Sequence, residues 1–397
     1  VRIYRASSEE TLRARKFLTD WVDDGFLTKD QYELLEKETV SDLRTTNIFL
    51  RLVLFLFTLI SVGATVGLFF VVFLSRPSEQ TAGVFFLIFA AVCYVAAELA
   101  VSQARLYRYG IEEALAVCSV GFLCAGIQGV FFIGRPYSPA EFLVPAAGCV
   151  FSLWIWRRFG FAYAFLAAMI FVVFLPGYWT DSRAARHLIV AVFYAAGLVG
   201  VATVRSRHRF DYLDEEYSLV EALLWLGIYV AMNLKLSSLN LSGQWWIGIP
   251  DISGLFARPF YWGTWAMIWC LPPIILARGV RQKDRFVIVV GAIMAVLTFV
   301  SNKPYLGWQR HTWDPMLLGI LLSVVAVVIR RWLGRGPDGI RRGFTAARLS
   351  GKDKHWINVG STVAGLLSPQ TPAPQPSSPD FRFGGGQTGG GGAGGDF

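Results

Sequence analysis

The chain of 397 residues is 54% apolar and only 16% charged, and it carries a formal charge of +9. A soluble domain carries about 25% charged residues; here the charges sit in short stretches between long apolar runs, which excludes a soluble globular fold. The basic excess does not indicate nucleic acid, because the arginines and lysines flank apolar segments, where they set topology and meet anionic lipid.

Residues 1–47 read as a cytoplasmic amphipathic helical hairpin. Ser7-x-x-Glu10 and Thr28-x-x-Gln31 have the spacing of capping boxes, and Gly25 suits the turn between two helices. So short a unit, without metal or disulfide, buries too little to be stable alone. The hairpin is therefore expected to dock through Leu18, Trp21 and Leu35, with Trp21 central, against basic loops at 205–209 and 278–285. Its acidic residues slightly outnumber its basic ones, which complements those loops and excludes a polybasic membrane anchor.

Residues 48–334 read as an all-α, polytopic transmembrane helix bundle. A run of about 20 apolar residues crosses the hydrocarbon core. About ten spans are expected, near 49–74, 82–101, 111–133, 141–155, 159–178, 187–204, 219–234, 260–277, 286–300 and 315–333. The fourth and ninth are short and cross only with local thinning, or one of them is re-entrant. No cleavable signal is expected ahead of the first span, because residues 1–45 are charged and the first apolar run is too long. Val1 reads as a non-standard start codon translated literally, which points to a bacterial source. The loops on the N-terminal side of the bundle carry 11 Lys and Arg in roughly 34 positions, against 8 in roughly 64 on the other side. That bias predicts an N-in/C-in protein of a bacterial inner membrane.

Inside the spans, Gly63-x-x-x-Gly67 permits close helix contact and is expected to pack within the bundle. The five cysteines form no C-x-x-C pair and read as small apolar groups. Trp245, Trp246, Tyr261, Trp262 and Trp265, on or next to the longest outer loop, read as interfacial anchors, or alternatively as a shelf for lipid or carbohydrate. Pro272 and Pro273 must kink or break the eighth span, and a broken span would line a transport site.

Carboxylates at membrane depth are the default functional suspects. Glu112, Glu113 and Glu221 begin helices, where the macrodipole favours an anion. Glu98 ends one and needs a cation, with Arg105 or Arg108 the expected partner. Glu98, Arg105, Arg108, Glu112 and Glu113 are thus expected around one short loop, as a structural ion network or an inner gate. Tyr109-x-x-x-Glu113-Ala114-Leu115 recurs as Tyr217-x-x-x-Glu221-Ala222-Leu223, four spans later. Gln128 is the clearest polar residue near mid-membrane.

The hairpin sequence Trp21-Val22-Asp23-Asp24-Gly25-Phe26-Leu27-Thr28-x-x-Gln31, followed by Tyr109-Gly110-Ile111-Glu112-Glu113-Ala114-Leu115, resembles the bacterial membrane-protein family called domain of unknown function 2157. The resemblance covers the first third well and the rest in outline. It implies no activity, because that family has no assigned catalytic or binding residues.

Residues 335–397 read as a basic, then Pro-rich, then Gly-rich flexible tail, a disordered end, or alternatively a tether on which Phe381, Phe383 and Asp396-Phe397 form a short recognition motif. The four histidines form no metal-spaced pair, and there is no G-x-S-x-G or Walker loop. The reading is therefore an integral membrane protein without catalytic residues, cofactor or metal, an accessory or scaffold. Its partners would be membrane lipids and a protein bound through the hairpin or tail. The alternative is a transporter or channel for a small solute or lipid, and a membrane enzyme comes third.

Overall fold

The structure, a computed structural model, describes residues 2–23, 25–39, 41–73, 78–131, 139–207, 214–236, 256–302, 311, 313–336, 340–341 and 344–345. Trp245, Trp246 and the Pro- and Gly-rich tail, with Phe381 and Phe383, lie outside the described residues.

Two helices form the hairpin, α1 (Ala6–Asp23) and α2 (Lys29–Glu38). The second begins on a capping box, in which the Gln31 amide donates to Thr28 Oγ1 and the Thr28 amide to Gln31 Oε1. Ser7 does not cap the first helix. It lies inside α1, whose first turn closes on the Arg5 carbonyl. Gly25 takes φ +77° in the turn, a conformation that a side chain disfavours.

Among the described residues ten further helices follow: α3 (Ile48–Phe73), α4 (Glu79–Ser102), α5 (Ile111–Phe131), α6 (Leu143–Phe159), α7 (Ala162–Phe174), α8 (Arg183–Arg207), α9 (Asp214–Met232), α10 (Arg258–Gln282), α11 (Arg285–Asn302) and α12 (Asp314–Gly334). Short 3-10 turns precede α6 and extend α7, and β1 (Ile340–Arg341) and β2 (Phe344–Thr345) pair after α12. Seven of these helices, α3, α4, α5, α8, α10, α11 and α12, are long and apolar enough to cross a membrane. The chain is thus all-helical, with seven candidate membrane spans. The remaining three, α6, α7 and α9, are short or carry a charged first turn.

Two cores organise the bundle. One gathers Ala97, Ala116, Ile155, Phe159, Phe161 and Ala164 from α4 to α7 around Tyr4 of the N-terminal segment. The other surrounds α9, where Val220, Ala222 and Tyr229 are fully buried among residues of α7, α8, α10 and α11. Helices α4 and α5 meet backbone to backbone. A Cβ added at Gly83 would come within 2.7 Å of the Gly129 carbonyl carbon, so only glycine permits the approach. Gly63 and Gly67, expected to serve the same purpose within the bundle, have nothing near them among the described residues.

Helix α10 runs unbroken through Pro272 and Pro273, which corrects the expectation of a broken span. Pro272 has no N–H for the carbonyl four residues earlier. That carbonyl, on Ile268, lies 3.2 Å from Thr298 Oγ1 of α11, whose single proton it shares with the Met294 carbonyl at 2.8 Å. A neighbouring helix thus fills the gap in the ladder.

Among the described residues the hairpin meets the bundle mainly at the α4–α5 loop, the end of α6 and the start of α9. Its backbone contacts come from the residues flanking it: the Ile3 amide donates to the Arg158 carbonyl at the end of α6, and Arg44 exchanges backbone bonds with Arg105 and Tyr107 of the α4–α5 loop. Of the three expected docking residues Leu18 is buried, whereas Trp21 is 48% exposed and Leu35 36% exposed. The Trp21 ring stacks on Phe17 one turn away, on the outer face of α1. Backbone pairing by the flanking segments makes a central Trp anchor unnecessary.

Candidate functional site

Among the described residues, the charged side chains at the hairpin end of the bundle form several separate clusters. The largest joins four helices. Glu221 of α9 accepts from Arg205 of α8 at 2.7 Å and from both Nε and Nη2 of Arg278 of α10, at 3.0 and 2.7 Å. Arg205 also pairs with Asp214 at 2.8 Å and with Asp284 at 2.7 Å. Asp284 in turn accepts from Ser218 Oγ at 2.5 Å and from the first amides of α11, Phe286 and Val287. The sequence places Asp284 one residue ahead of α11, where a carboxylate offsets both the orphan amides and the dipole. Both Glu221 oxygens are thus held by guanidinium groups, and Asp284 is held from three directions. These pairs tie α8, α9, α10 and α11 together.

The second cluster centres on Glu216, in the first turn of α9. It receives Arg2 of the N-terminal segment, Arg13 of α1 at 3.4 Å and Arg108 of the α4–α5 loop at 3.6 Å. Arg2 also pairs with buried Glu9 at 2.9 Å. Basic groups on the hairpin side therefore meet an acid on the bundle, the reverse of the expected polarity. Arg105 keeps the expected sense in its pair with Asp42 at 2.7 Å.

Glu98 pairs with neither Arg105 nor Arg108. Its carboxylate accepts from Arg158 of α6, Nε at 2.7 Å and Nη2 at 3.2 Å, and from Tyr94 Oη at 2.9 Å. Trp154 completes the chain by donating to Tyr94 Oη at 2.9 Å. The α4–α5 loop holds Arg105 and Arg108 at φ +53° and +51°, and from there the two reach Asp42 and Glu216. The single network expected around that loop is divided accordingly. Glu113 binds Arg51 of α3 through two bonds, that from Nε at 2.7 Å, while Glu112 accepts from the Tyr109 amide at 2.6 Å and caps α5.

A feature that sequence reading missed lies in the second core. Tyr229 Oη and Thr298 Oγ1 are 2.9 Å apart, and Asn233 Nδ2 donates to Tyr229 Oη at 3.1 Å and to Ser301 Oγ at 2.9 Å. Asn302 is 1% exposed, and its Oδ1 has no partner among the described residues. No charge marks this cluster; the signal was the i, i+4 pairs Tyr229/Asn233 and Thr298/Asn302 on facing helices. Gln128, by contrast, sits on the exposed surface of α5.

Family models, curated proteins and solved structures offer no match to this chain. Among the described residues no group of three or more His, Cys, Asp or Glu could hold a metal ion. All five cysteines are free. The charged clusters cross-link helices that are distant in sequence.

Proposed function

We propose that this protein is a non-catalytic scaffold of a bacterial inner membrane, with ten spans and both termini cytoplasmic, that offers the outer face of its hairpin to a protein partner. One observation carries the reading. Phe17, Trp21, Phe26 and Leu34 are all exposed, on a hairpin whose flanking segments are fastened to the bundle. Large apolar side chains left uncovered on a held element support an interaction surface. The resemblance to the domain of unknown function 2157 family belongs to the same proposal and adds no activity to it. The test places a photo-crosslinking residue at Trp21 of the full chain in native membranes. A discrete protein adduct that Phe26→Asp abolishes is expected. Adducts to lipid alone would refute the reading.

The buried polar cluster of Tyr229, Asn233, Thr298, Ser301 and Asn302 favours a second reading, transport of a small polar solute between α9, α10 and α11. Ser301→Cys distinguishes the two. Labelling by a membrane-impermeant thiol reagent, in a background lacking the native cysteines, would support transport, and protection would support the scaffold.

A further inference from the structure

The two halves of the hairpin differ in charge. Up to Phe17 it carries five basic residues against two acidic ones, and Arg2 and Arg13 face Glu216 of the bundle. From Leu18 to Glu38 the balance reverses, with seven acidic residues against Lys29 and Lys37. Asp30, Glu33 and Glu38 of α2 are exposed and have no ion pair among the described residues. Three rings stand uncovered where the halves meet. Phe17 stacks on Trp21 at 6.5 Å between centroids, and the Phe26 amide donates to the Trp21 carbonyl at 2.8 Å. Phe17, Trp21 and Phe26 are 55%, 48% and 78% exposed. An apolar patch on an acidic unit is complementary to a segment that is both apolar and basic.

The chain supplies such a segment itself. Residues 335–355 carry six basic residues against Asp338 and Asp353, and Trp356, Ile357, Val359, Val363, Leu366 and Leu367 follow. Of these, 348–367 lie outside the described residues. Topology delivers them to the hairpin. Glu216, in the first turn of α9, meets Arg2 and Arg13, and Ser218 of the same helix donates to Asp284 just ahead of α11. Helix α11 therefore starts at the hairpin end and runs away from it, and α12, crossing as a span, returns the chain. The 21 positions from Arg335 to His355 reach at most about 70 Å, beyond the roughly 40 Å breadth of ten helices packed about 10 Å apart. Such a tether gives a local concentration on the order of millimolar, enough to keep a weak contact occupied.

We propose that residues 348–367 lie on the Phe17, Trp21 and Phe26 face of the hairpin of the same chain, and that a protein partner must displace them. Trp356 packs among the exposed rings, while Arg348, Lys352 and Lys354 lie toward the carboxylates of α2. This occupancy rests on the reading of that face as an interaction surface, and it makes the tail a competitive regulator of the surface.

A photo-crosslinking residue at Trp21 of the detergent-purified full chain, with isotope-labelled and unlabelled protein mixed in equal amounts, tests this. The expected product joins position 21 to a peptide within 348–367 of the same chain. Arg348→Glu, Lys352→Glu and Lys354→Glu together should lower its yield roughly tenfold, as loss of a few exposed charge pairs does. Trp356→Ala should lower it about as much. All four positions lie beyond α12, so an unchanged melting curve separates lost contact from lost fold. Adducts between labelled and unlabelled chains would assign the face to a second copy and overturn the proposal. Absence of the tail adduct, or an unchanged yield in both variants, would also overturn it. In native membranes the triple variant should raise the yield of the partner adduct, and an unchanged yield would overturn the competition. A partner adduct without the tail adduct refutes the tail alone, and a tail adduct without a partner adduct refutes the partner alone.

Discussion

Arg205 should be the most consequential charge at the hairpin end, and its loss should outweigh that of Arg278. Both arginines bind Glu221, at the same 2.7 Å. Their settings differ. The Arg278 side chain is 39% exposed, and Arg205 stays on the other Glu221 oxygen, so Arg278→Gln should cost only about 1.5 kcal/mol. The Arg205 side chain is 16% exposed and touches Asp214, Glu221 and Asp284, the last two with side chains at most 3% exposed. Arg205→Gln takes a guanidinium from Asp284 and leaves Glu221 with the more exposed Arg278. Stranding one buried carboxylate costs about 3–5 kcal/mol. Ser218 and the α11 amides still serve Asp284, which places the estimate near the lower end, about 3 kcal/mol. Unfolding in detergent, followed by intrinsic tryptophan fluorescence, reads both variants. Equal losses, or a larger loss for Arg278→Gln, would show that the network does not bear on the α8–α11 packing as described.

Four further outcomes follow from the same geometry. Glu98→Gln and Arg158→Gln should lower the thermal midpoint similarly and non-additively, while Arg105→Gln leaves it within about 0.5 kcal/mol, as surface changes do; a stronger effect of Arg105→Gln would restore the pairing expected from sequence. Gly83→Leu should disrupt the α4–α5 contact and Gly63→Leu should be tolerated, as monitored by melting of each variant in the same detergent. Thr298→Val should cost about 1 kcal/mol in the native background and measurably less with Pro272→Ala, since alanine restores an amide to Ile268. Leu18→Ala should destabilise the hairpin by about 2 kcal/mol, measured by protease release of residues 1–45, whereas Trp21→Ala should not.

The helices were legible in the sequence because each is an apolar run bounded by charge, and a membrane leaves the chain little else to do with such a run. The carboxylates were legible as residues, for the same reason. Their partners were not. Glu98 and Arg158 are 60 positions apart, and which arginine reaches Glu98 depends on how α4 crosses α6, a three-dimensional fact with no local signature. The hairpin failed differently. The apolar face of α1 was read as the contact face because Trp21 is large, but Ile3 and Arg44 dock by backbone bonds, which side-chain identity does not encode. The neutral cluster around Asn233 escaped notice because hydroxyls and amides, scattered singly through apolar runs, stand out only once α9 and α11 are brought together.

Helix α12 has no buried residue in its apolar stretch, and this bears on how the protein is made. An apolar helix loses little by facing lipid, since acyl chains are as apolar as leucine. The two cores are complete with α11, the last helix that contributes to either. During synthesis the bundle can therefore reach its final packing before α12 leaves the ribosome, and α12 can enter the bilayer without waiting for a docking site. Truncation ahead of α12 should leave the rest assembled. Sequence change in α12 is then constrained by the thickness and composition of the surrounding membrane more than by neighbouring side chains, so this segment can drift, or be exchanged for another anchor, without disturbing the fold that precedes it.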